Sequence, residues 1–214
     1  MSRSHEDTVR ALLDRHGQTF AEQAGIRLTD EPSPLYRLLV LSTLLSTRIS
    51  ADIAVHAARE LSAAGWRTPQ RMLAATWQQR VDALGRGRYR RYDESTATRL
   101  GDGAGLLLDR WDGDLRRLHE DAGNVDGVLK RLQEFPGIGP TGAAIFTREV
   151  QGVWPSAAPF FDRRALAGAE RAGVPTAPEA LSALVPATDL PRLAAALVRV
   201  ALGRTDGDPL DPAS

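Results

Sequence analysis

The chain has 214 residues, of which 43% are hydrophobic, and its 27 basic side chains balance 27 acidic ones. This composition is that of a globular protein with a hydrophobic core and excludes an intrinsically disordered chain. Because the sequence contains no cysteine, disulfide bonds, cysteine-ligated zinc and iron–sulfur clusters are excluded. No apolar run reaches the length of a membrane span and the N-terminus has no apolar signal segment, so we expect a soluble cytoplasmic protein.

Helical periodicity and helix-capping residues predict an all-α fold from the N-terminus onward. A first helix is predicted over about residues 5–24. The segment PLYRLLVLSTLLS, which begins at Pro34, is apolar on nearly all faces and predicts a central buried helix. Ser50 is expected to cap the next helix, which Gly65 ends, and Thr68 is expected to start a short third helix.

The middle of the chain carries three further predicted helices. Thr76 begins a capping box for a short helix that Gly85 is expected to end. The basic and aromatic segment GRGRYRRY, residues 85–92, leads into a long helix predicted over about residues 91–111, in spite of three internal glycines. Asp114, a residue type that caps helix N-termini, is expected to start the next short helix.

The segment LQEFPGIGPTGAA, residues 132–144, interrupts two predicted helices, the second of which covers residues 141–150. Gly137 and Gly139 permit backbone conformations and close approach that a Cβ atom would prevent, and Pro140 fits the first turn of the second helix. Unpaired amides at the start of that helix, together with the positive end of its dipole, suit an anion such as a phosphodiester. A tight turn with no ligand is the alternative that these residues alone leave open.

The C-terminal third is predicted to contain three more helices, over residues 162–172, 176–185 and 190–202. Thr176 begins a second capping box. Residues 204–214 are polar and proline-rich, so we expect a disordered tail.

The hairpin segment resembles that of the helix-hairpin-helix DNA glycosylases, the endonuclease III superfamily, in which Leu-Pro-Gly-(Val/Ile)-Gly precedes a variable pair and small residues. The resemblance includes LLVLSTLLSTRISAD, residues 38–52, which is similar to the family's Leu-rich helix ending in Leu-Leu-Ser. It also includes WPSAAPFFDRRALAGAERAGV, in which Asp162 stands at the position of the family's catalytic aspartate. About residues 30–175 are covered.

This resemblance implies two helical subdomains. Residues 30–153 would form a six-helix domain that ends in the helix-hairpin-helix, and residues 1–29 together with 154–203 would form the second subdomain. The implied protein is a monomer that binds duplex DNA containing a damaged or mismatched base and flips the target nucleotide into the cleft between the subdomains. We therefore expect it in the cytoplasm, associated with the nucleoid through DNA, and not at a membrane.

Thr141 defines the expected chemistry, because bifunctional members of the family carry there a lysine that forms a Schiff base with the sugar. A threonine cannot form that imine. The resemblance thus implies a monofunctional glycosylase of base excision repair, which hydrolyses the N-glycosidic bond without AP-lyase activity. Asp162 would stabilise the oxocarbenium-like transition state and accept a proton from water, and an ordinary helix cap is the alternative role for this residue.

The resemblance also assigns DNA contacts and a cation site. The residues expected to bind DNA are Gly137, Ile138, Gly139, Thr141, Gly142, Arg48, Arg88 and Arg163. Carbonyls of Phe135 and Ile138 are expected to bind Na⁺ or K⁺, as in relatives, and no other cofactor is implied. The aromatic residues expected to stack on the flipped base or to line its pocket are Tyr89, Tyr92, Phe160 and Phe161. A solvated loop is the alternative for the two tyrosines, and packing in the core is the alternative for the two phenylalanines.

Departures from the family pattern leave other functions open. Arg48 stands where many relatives have glutamine, and Arg163 and Arg164 stand where they often have threonine and histidine. An arginine that pairs with Asp162 would quench it, which favours a non-catalytic DNA-binding protein as the alternative; a helical interaction module without DNA is a second one. The lesion is not specified by these residues, although pyrimidine-derived lesions are favoured over mispaired adenine and alkylated purines.

Overall fold

The computed structural model describes residues 4–203, and all of their regular secondary structure is helical. The predicted all-α fold is therefore confirmed. Residues 204–214, for which the sequence predicts a disordered tail, lie outside the described residues. No helix between residues 4 and 203 is long and apolar enough to cross a membrane.

The helices are named here in chain order. The α-helices are α1 His5–His16, α2 Phe20–Gln23, α3 Pro32–Leu45, α4 Ala51–Ala63, α5 Pro69–Ala74, α6 Trp77–Arg86, α7 Asp93–Trp111, α8 Leu115–Ala122, α9 Val125–Leu132, α10 Pro140–Val150, α11 Arg163–Ala172, α12 Pro178–Ser182 and α13 Leu190–Ala201. Two 3₁₀ helices cover Pro155–Ala157 and Ala187–Asp189.

The described residues form two compact units. One unit consists of residues 21–147, and the other is formed by the described residues on either side, 4–20 and 148–203. The unit boundaries lie inside α2 and α10. The sequence analysis places them several residues further along the chain, at 29/30 and 153/154.

Helix α3 forms the centre of the unit of residues 21–147. Nine of its 14 residues are buried, and Leu38, Leu41 and Leu44 have no exposed surface. Each buried leucine contributes roughly 2 kcal/mol of hydrophobic stabilisation. The predicted central helix is thus confirmed, and it fixes the position of the loop that follows Leu45.

Local capping residues start several helices as predicted. The Thr76 hydroxyl accepts a hydrogen bond from the Gln79 amide at 3.1 Å, and the Gln79 side chain accepts one from the Thr76 amide at 2.8 Å. Asp114 accepts a hydrogen bond from the Arg116 amide at the start of α8. Helix α6 continues past the predicted stop at Gly85, ending at Arg86.

One of the three glycines of α7, Gly101, allows close packing inside this long helix. A Cβ atom at Gly101 would lie only 2.7 Å from a guanidinium nitrogen of Arg80. Arg80 is buried and donates hydrogen bonds to the carbonyls of Met72, Ala75 and Ala97. One arginine therefore joins α5, α6 and α7 in the core of this unit.

The unit of residues 4–20 and 148–203 contains the close contact between α11 and α13. A Cβ atom at Gly168 would lie 1.8 Å from the carbonyl oxygen of Leu197, so the two helices pack with their backbones nearly touching at this point. Because Asp162 directly precedes α11, this contact fixes the helix that carries it.

The first helix is shorter than the predicted span of 5–24, because α1 ends at His16. Two arginines of α13 bind the carbonyls at that end: Arg199 donates to His16 at 2.6 Å and Arg192 donates to Gly17 at 3.3 Å. These side chains satisfy carbonyl groups that a terminating helix leaves unpaired.

The predicted capping box at Thr176 is also absent. Helix α12 begins at Pro178, with Ala177 as N-cap and no side-chain capping hydrogen bond. Proline favours the first position of a helix, and its ring moves the start two residues beyond Thr176.

Candidate functional site

The interrupted segment forms a hairpin turn between the helices α9 and α10, and the predicted helix over residues 141–150 is confirmed. Gly137 lies in the turn with φ +86°, a left-handed conformation that glycine adopts readily. Phe135 and Ile138 on its two sides are buried, and the Phe135 ring stacks on Trp111 at 5.8 Å between centroids. Two apolar side chains therefore anchor the turn, while Gly137 and Gly139 remain exposed.

The N-terminus of α10 presents unpaired amide groups. In the described part of the chain, the amides of Gly139, Thr141 and Gly142 have no hydrogen-bond acceptor, and Pro140 has no N–H group. Gly139 and Thr141 are exposed, and a Cβ atom at Gly139 would meet nothing within 4 Å. With the positive end of the helix dipole, this turn is arranged to bind an anion that approaches closely.

Gly142 has a packing role that the sequence analysis does not predict. The residue is buried, and a Cβ atom there would lie 2.2 Å from the Ser46 hydroxyl oxygen. Its missing side chain thus lets α10 pack against the end of α3. Gly142 and Ile138, both expected to bind DNA, are buried, so only their backbone groups are candidates for such a contact.

The turn also offers carbonyl oxygens for a monovalent cation. The Phe135 carbonyl accepts a hydrogen bond from the Ile138 amide at 3.0 Å and keeps its second lone pair, and the Ile138 carbonyl has no donor among the described residues. Neutral carbonyl oxygens of this kind fit Na⁺ or K⁺. No group of three His, Asp or Glu side chains able to hold a metal occurs within residues 4–203.

Tyr89, which was predicted to be accessible to a flipped base, is buried in the structure. Its ring has 0% exposure, and its hydroxyl lies 2.6 Å from the Thr47 hydroxyl, so it is not available for stacking on a base. Burial raises the pKa of the Tyr89 hydroxyl. The prediction that Tyr89 stacks on a base was wrong because its basic sequence neighbours are typical of an exposed segment. The structure shows instead that Tyr89 attaches the segment 85–92 to the loop that contains Arg48.

The cations expected to bind DNA are exposed. Arg48, Arg88 and Arg163 have no carboxylate within 4.0 Å in the part of the chain that the structure describes. Arg88 adopts a left-handed backbone conformation with φ +63°, which is unfavourable for a side chain with a Cβ atom. Arg86, by contrast, pairs with Glu60.

Asp162 is the N-cap of α11, and both of its oxygens are engaged. Oδ1 accepts a hydrogen bond from the Ala165 amide at 2.8 Å, and Oδ2 accepts one from Nη1 of Arg148 at 2.5 Å. The exposed fractions of the two side chains are 11% for Asp162 and 3% for Arg148. The arginine that pairs with Asp162 therefore comes from α10, while Arg163 and Arg164 are exposed.

Arg148 is the ion-pair partner of Asp162 that sequence reasoning missed. Its guanidinium carbon lies 5.6 Å from the centre of the Phe20 ring, and its Nε is buried without an acceptor among residues 4–203. The adjacent charged residues Arg148 and Glu149 interrupt an otherwise apolar helix, and that interruption was the available signal. Asp162 is the carboxylate that compensates this buried charge.

The aromatic residues before Asp162 differ in accessibility. The Gln151 side chain forms two hydrogen bonds of 2.9 Å with the backbone of Phe160. These bonds fix the chain segment that leads to Asp162. Phe160 is half-buried, whereas Phe161 lies in the core and is not available as a stacking surface. Tyr92, in the other unit, is half-buried, with the Arg91 guanidinium 5.3 Å from its ring centre.

The fold is similar to solved structures of endonuclease III bound to DNA. A trapped covalent endonuclease III–DNA intermediate, an estranged-adenine complex, has a TM-score of 0.52 and 16% sequence identity, and the match covers 100% of this chain and 92% of that one. A non-covalent endonuclease III–DNA complex has a TM-score of 0.54 and 16% identity, with 100% and 91% coverage. No family model and no curated protein matches the chain. The protein therefore has the fold of endonuclease III, in agreement with the sequence analysis.

Proposed function

We propose that this protein is a monofunctional DNA glycosylase of base excision repair, which hydrolyses the N-glycosidic bond of a damaged or mismatched base flipped out of duplex DNA. The observation that carries the proposal is the exposed turn at the start of α10, where unpaired amides face solvent with no side chain in the way. The endonuclease III fold supports it, because the similar solved structures are complexes with DNA.

In this proposal the hairpin binds the DNA backbone. The amides of Gly139 and Thr141 donate hydrogen bonds to one phosphate, and a Na⁺ or K⁺ ion at the Phe135 and Ile138 carbonyls would add positive charge beside it. Arg48, Arg88 and Arg163 bind further phosphates. These contacts set the position of the duplex and offset the cost of unstacking the target nucleotide.

Asp162 is the proposed catalytic residue. Breaking the glycosidic bond develops positive charge on the sugar, and a fixed carboxylate stabilises that charge and accepts a proton from the attacking water. Because Thr141 stands at the position of the family lysine, no Schiff base forms there and the strand stays intact. Tyr92 and Phe160, the two accessible aromatic residues of the predicted set, remain candidates for holding the base, and we favour pyrimidine-derived lesions.

A panel of duplexes, each with one damaged or mismatched base, tests this function. The strands are analysed with and without hot alkali, which cleaves only where a base has been lost. We expect alkali-dependent cleavage at one lesion. Strand cleavage without alkali would contradict the monofunctional assignment, and release from none of the duplexes would contradict the glycosylase assignment.

A non-catalytic DNA-binding protein is the second candidate function, and the pairing of Asp162 with Arg148 favours it. A carboxylate bound to an arginine has less negative charge available for the sugar. Salt-dependent binding to duplexes without release of any base would support this alternative. Phosphate contacts release counterions from DNA, so DNA affinity should fall as the salt concentration rises. Binding that does not respond to salt would therefore contradict both DNA functions.

Replacing Gly139 by a bulky residue should weaken binding to damaged and undamaged duplexes alike. A Leu side chain fits the fold, because the space around the Cβ position is open, but it blocks the approach of a phosphate to the amides. Loss of two such hydrogen bonds predicts affinity lower by about tenfold or more for Gly139→Leu, measured by fluorescence anisotropy. Gly105→Leu, also in open space, is the control. Equal affinity of both variants would mean that the turn is only structural.

Thr141→Lys is expected to add strand cleavage. Thr141 is exposed, so the longer side chain is tolerated, and a lysine amine can attack the sugar to form an imine. The measurement is a covalent protein–DNA adduct trapped by borohydride on a lesion duplex. Thr141→Arg, which adds the same charge without a nucleophilic amine, is the matched control. If neither variant is trapped, Thr141 does not occupy the position of the family lysine.

A further inference from the structure

One face of α7 lies along the hairpin turn. Gly103 of this face packs near the Phe135 ring, which would be 3.7 Å from a Cβ atom at that position. One helical turn earlier, the Arg99 side chain packs on Gly137. Residues four apart lie on the same side of a helix, so Arg99 and Gly103 together dock α7 against the turn.

The side chain of Arg99 lies close to the backbone of the turn at Gly137. A Cβ atom at Gly137 would lie 2.7 Å from Cδ of Arg99 and 3.5 Å from its Nε, so the Arg99 side chain lies directly against the turn at Gly137. Arg99 also borders a shallow recess that Pro136 lines. The hairpin therefore places the charged end of Arg99 beside the same turn that carries the unpaired amides.

The positive charge of Arg99 has no carboxylate within 4.0 Å among the described residues. Arg110, eleven residues later on α7, differs in this respect, because it forms an ion pair with Glu134 of the hairpin. Arg99 is exposed, so its guanidinium is accessible to an external anion. A planar guanidinium suits phosphate oxygens, to which it donates two parallel hydrogen bonds.

We propose that Arg99 is a further DNA-backbone contact, which binds a phosphate beside the hairpin amides. This inference rests on the DNA binding in the proposed function and does not require catalysis. Gly137 allows the left-handed turn, and Arg99 beside it extends the phosphate site onto α7.

Binding of an undamaged duplex at several salt concentrations tests the contact. Arg99→Gln keeps a polar side chain and removes the charge. We expect its affinity to fall by about threefold to tenfold and the slope of log affinity against log salt to decrease in magnitude by about 1. Arg110→Gln is the matched control on the same helix, and its slope should stay that of the wild type because Glu134 already offsets the charge. Thermal unfolding confirms that both variants are folded.

Arg99→Lys should retain the salt slope, since it retains the charge, while binding less tightly than the wild type. Wild-type affinity and slope in Arg99→Gln would overturn this proposal alone. Loss of slope in Arg110→Gln as large as in Arg99→Gln would also overturn it, since the effect would then not be specific to Arg99. Absence of salt-dependent binding by the wild type would overturn both this contact and the DNA binding of the proposed function. Salt-dependent binding without base release would contradict only the proposed catalysis, and the comparison of Arg99→Gln with Arg110→Gln would still decide the Arg99 contact.

Discussion

Asp162→Asn is expected to lower the rate of base release by about 100-fold or more while duplex affinity stays within a few fold, because asparagine keeps the shape of aspartate without its charge or basicity. The measurement is single-turnover release from the lesion duplex that the wild type processes, detected by hot alkali. The amide oxygen of the substituted asparagine can still accept the hydrogen bond of the Ala165 amide, so the cap of α11 is retained. Because the substitution also leaves the buried Arg148 without its carboxylate, the rates are compared at equal amounts of folded protein, so that the difference reports the missing carboxylate at the sugar.

The matched control is Asp189→Asn, which removes a carboxylate that pairs with Arg192 elsewhere in the same unit. Its rate of base release should equal that of the wild type. If Asp162→Asn releases the base as fast as this control does, Asp162 is a helix cap and not the catalytic residue.

Arg148→Met is expected to lower the free energy of unfolding by about 3 kcal/mol, because it leaves the carboxylate of Asp162, which is 11% exposed, without its cation. The double variant Arg148→Met/Asp162→Asn should lose less stability than the two single variants added together, since it removes both charges at once. Urea unfolding of the wild type, the two single variants and the double variant measures this coupling. It also establishes how much folded protein is present when the activity of Asp162→Asn is measured.

The exposed pair of Arg116 and Asp114 provides the comparison, because the Arg116 side chain is 44% exposed. Arg116→Met should lower the free energy of unfolding far less than Arg148→Met does, because an exposed ion pair is screened by solvent. Strict additivity of the Arg148 and Asp162 variants would show that their contact contributes nothing to stability.

Much of the helical framework follows from local signals in the sequence. Capping side chains such as Ser50 and Thr76 bind amides three residues away, so a short stretch of sequence contains all the atoms involved. The hairpin and the cap position of Asp162 are predicted for the same reason. Their roles in DNA binding and catalysis stay predictions, because a functional contact requires a ligand as well as a backbone geometry.

The capping box predicted at Thr176 is absent for a local reason, because Pro178 begins α12. Two other wrong predictions concern residues whose partners are distant in sequence. Tyr89 is buried because its hydroxyl contacts Thr47, which is 42 residues away. The end of α1 is fixed by Arg199, 183 residues from His16. Hydrophobic periodicity describes only neighbouring residues, so it predicts neither of these contacts. The pairing of Arg148 with Asp162 was not predicted for the same reason.

The contact between α11 and α13 has a consequence for the evolutionary history of the chain. Because even a methyl group at Gly168 would overlap the carbonyl of Leu197, every homologue that keeps this helix pair should have glycine at the equivalent position. Glycine there, combined with the hairpin glycines, is a signature with which distant homologues can be recognised when overall identity is low. In a homologue with a larger residue at that site, α11 should lie further from α13. The proposed catalytic aspartate, which precedes α11, should then be displaced with it.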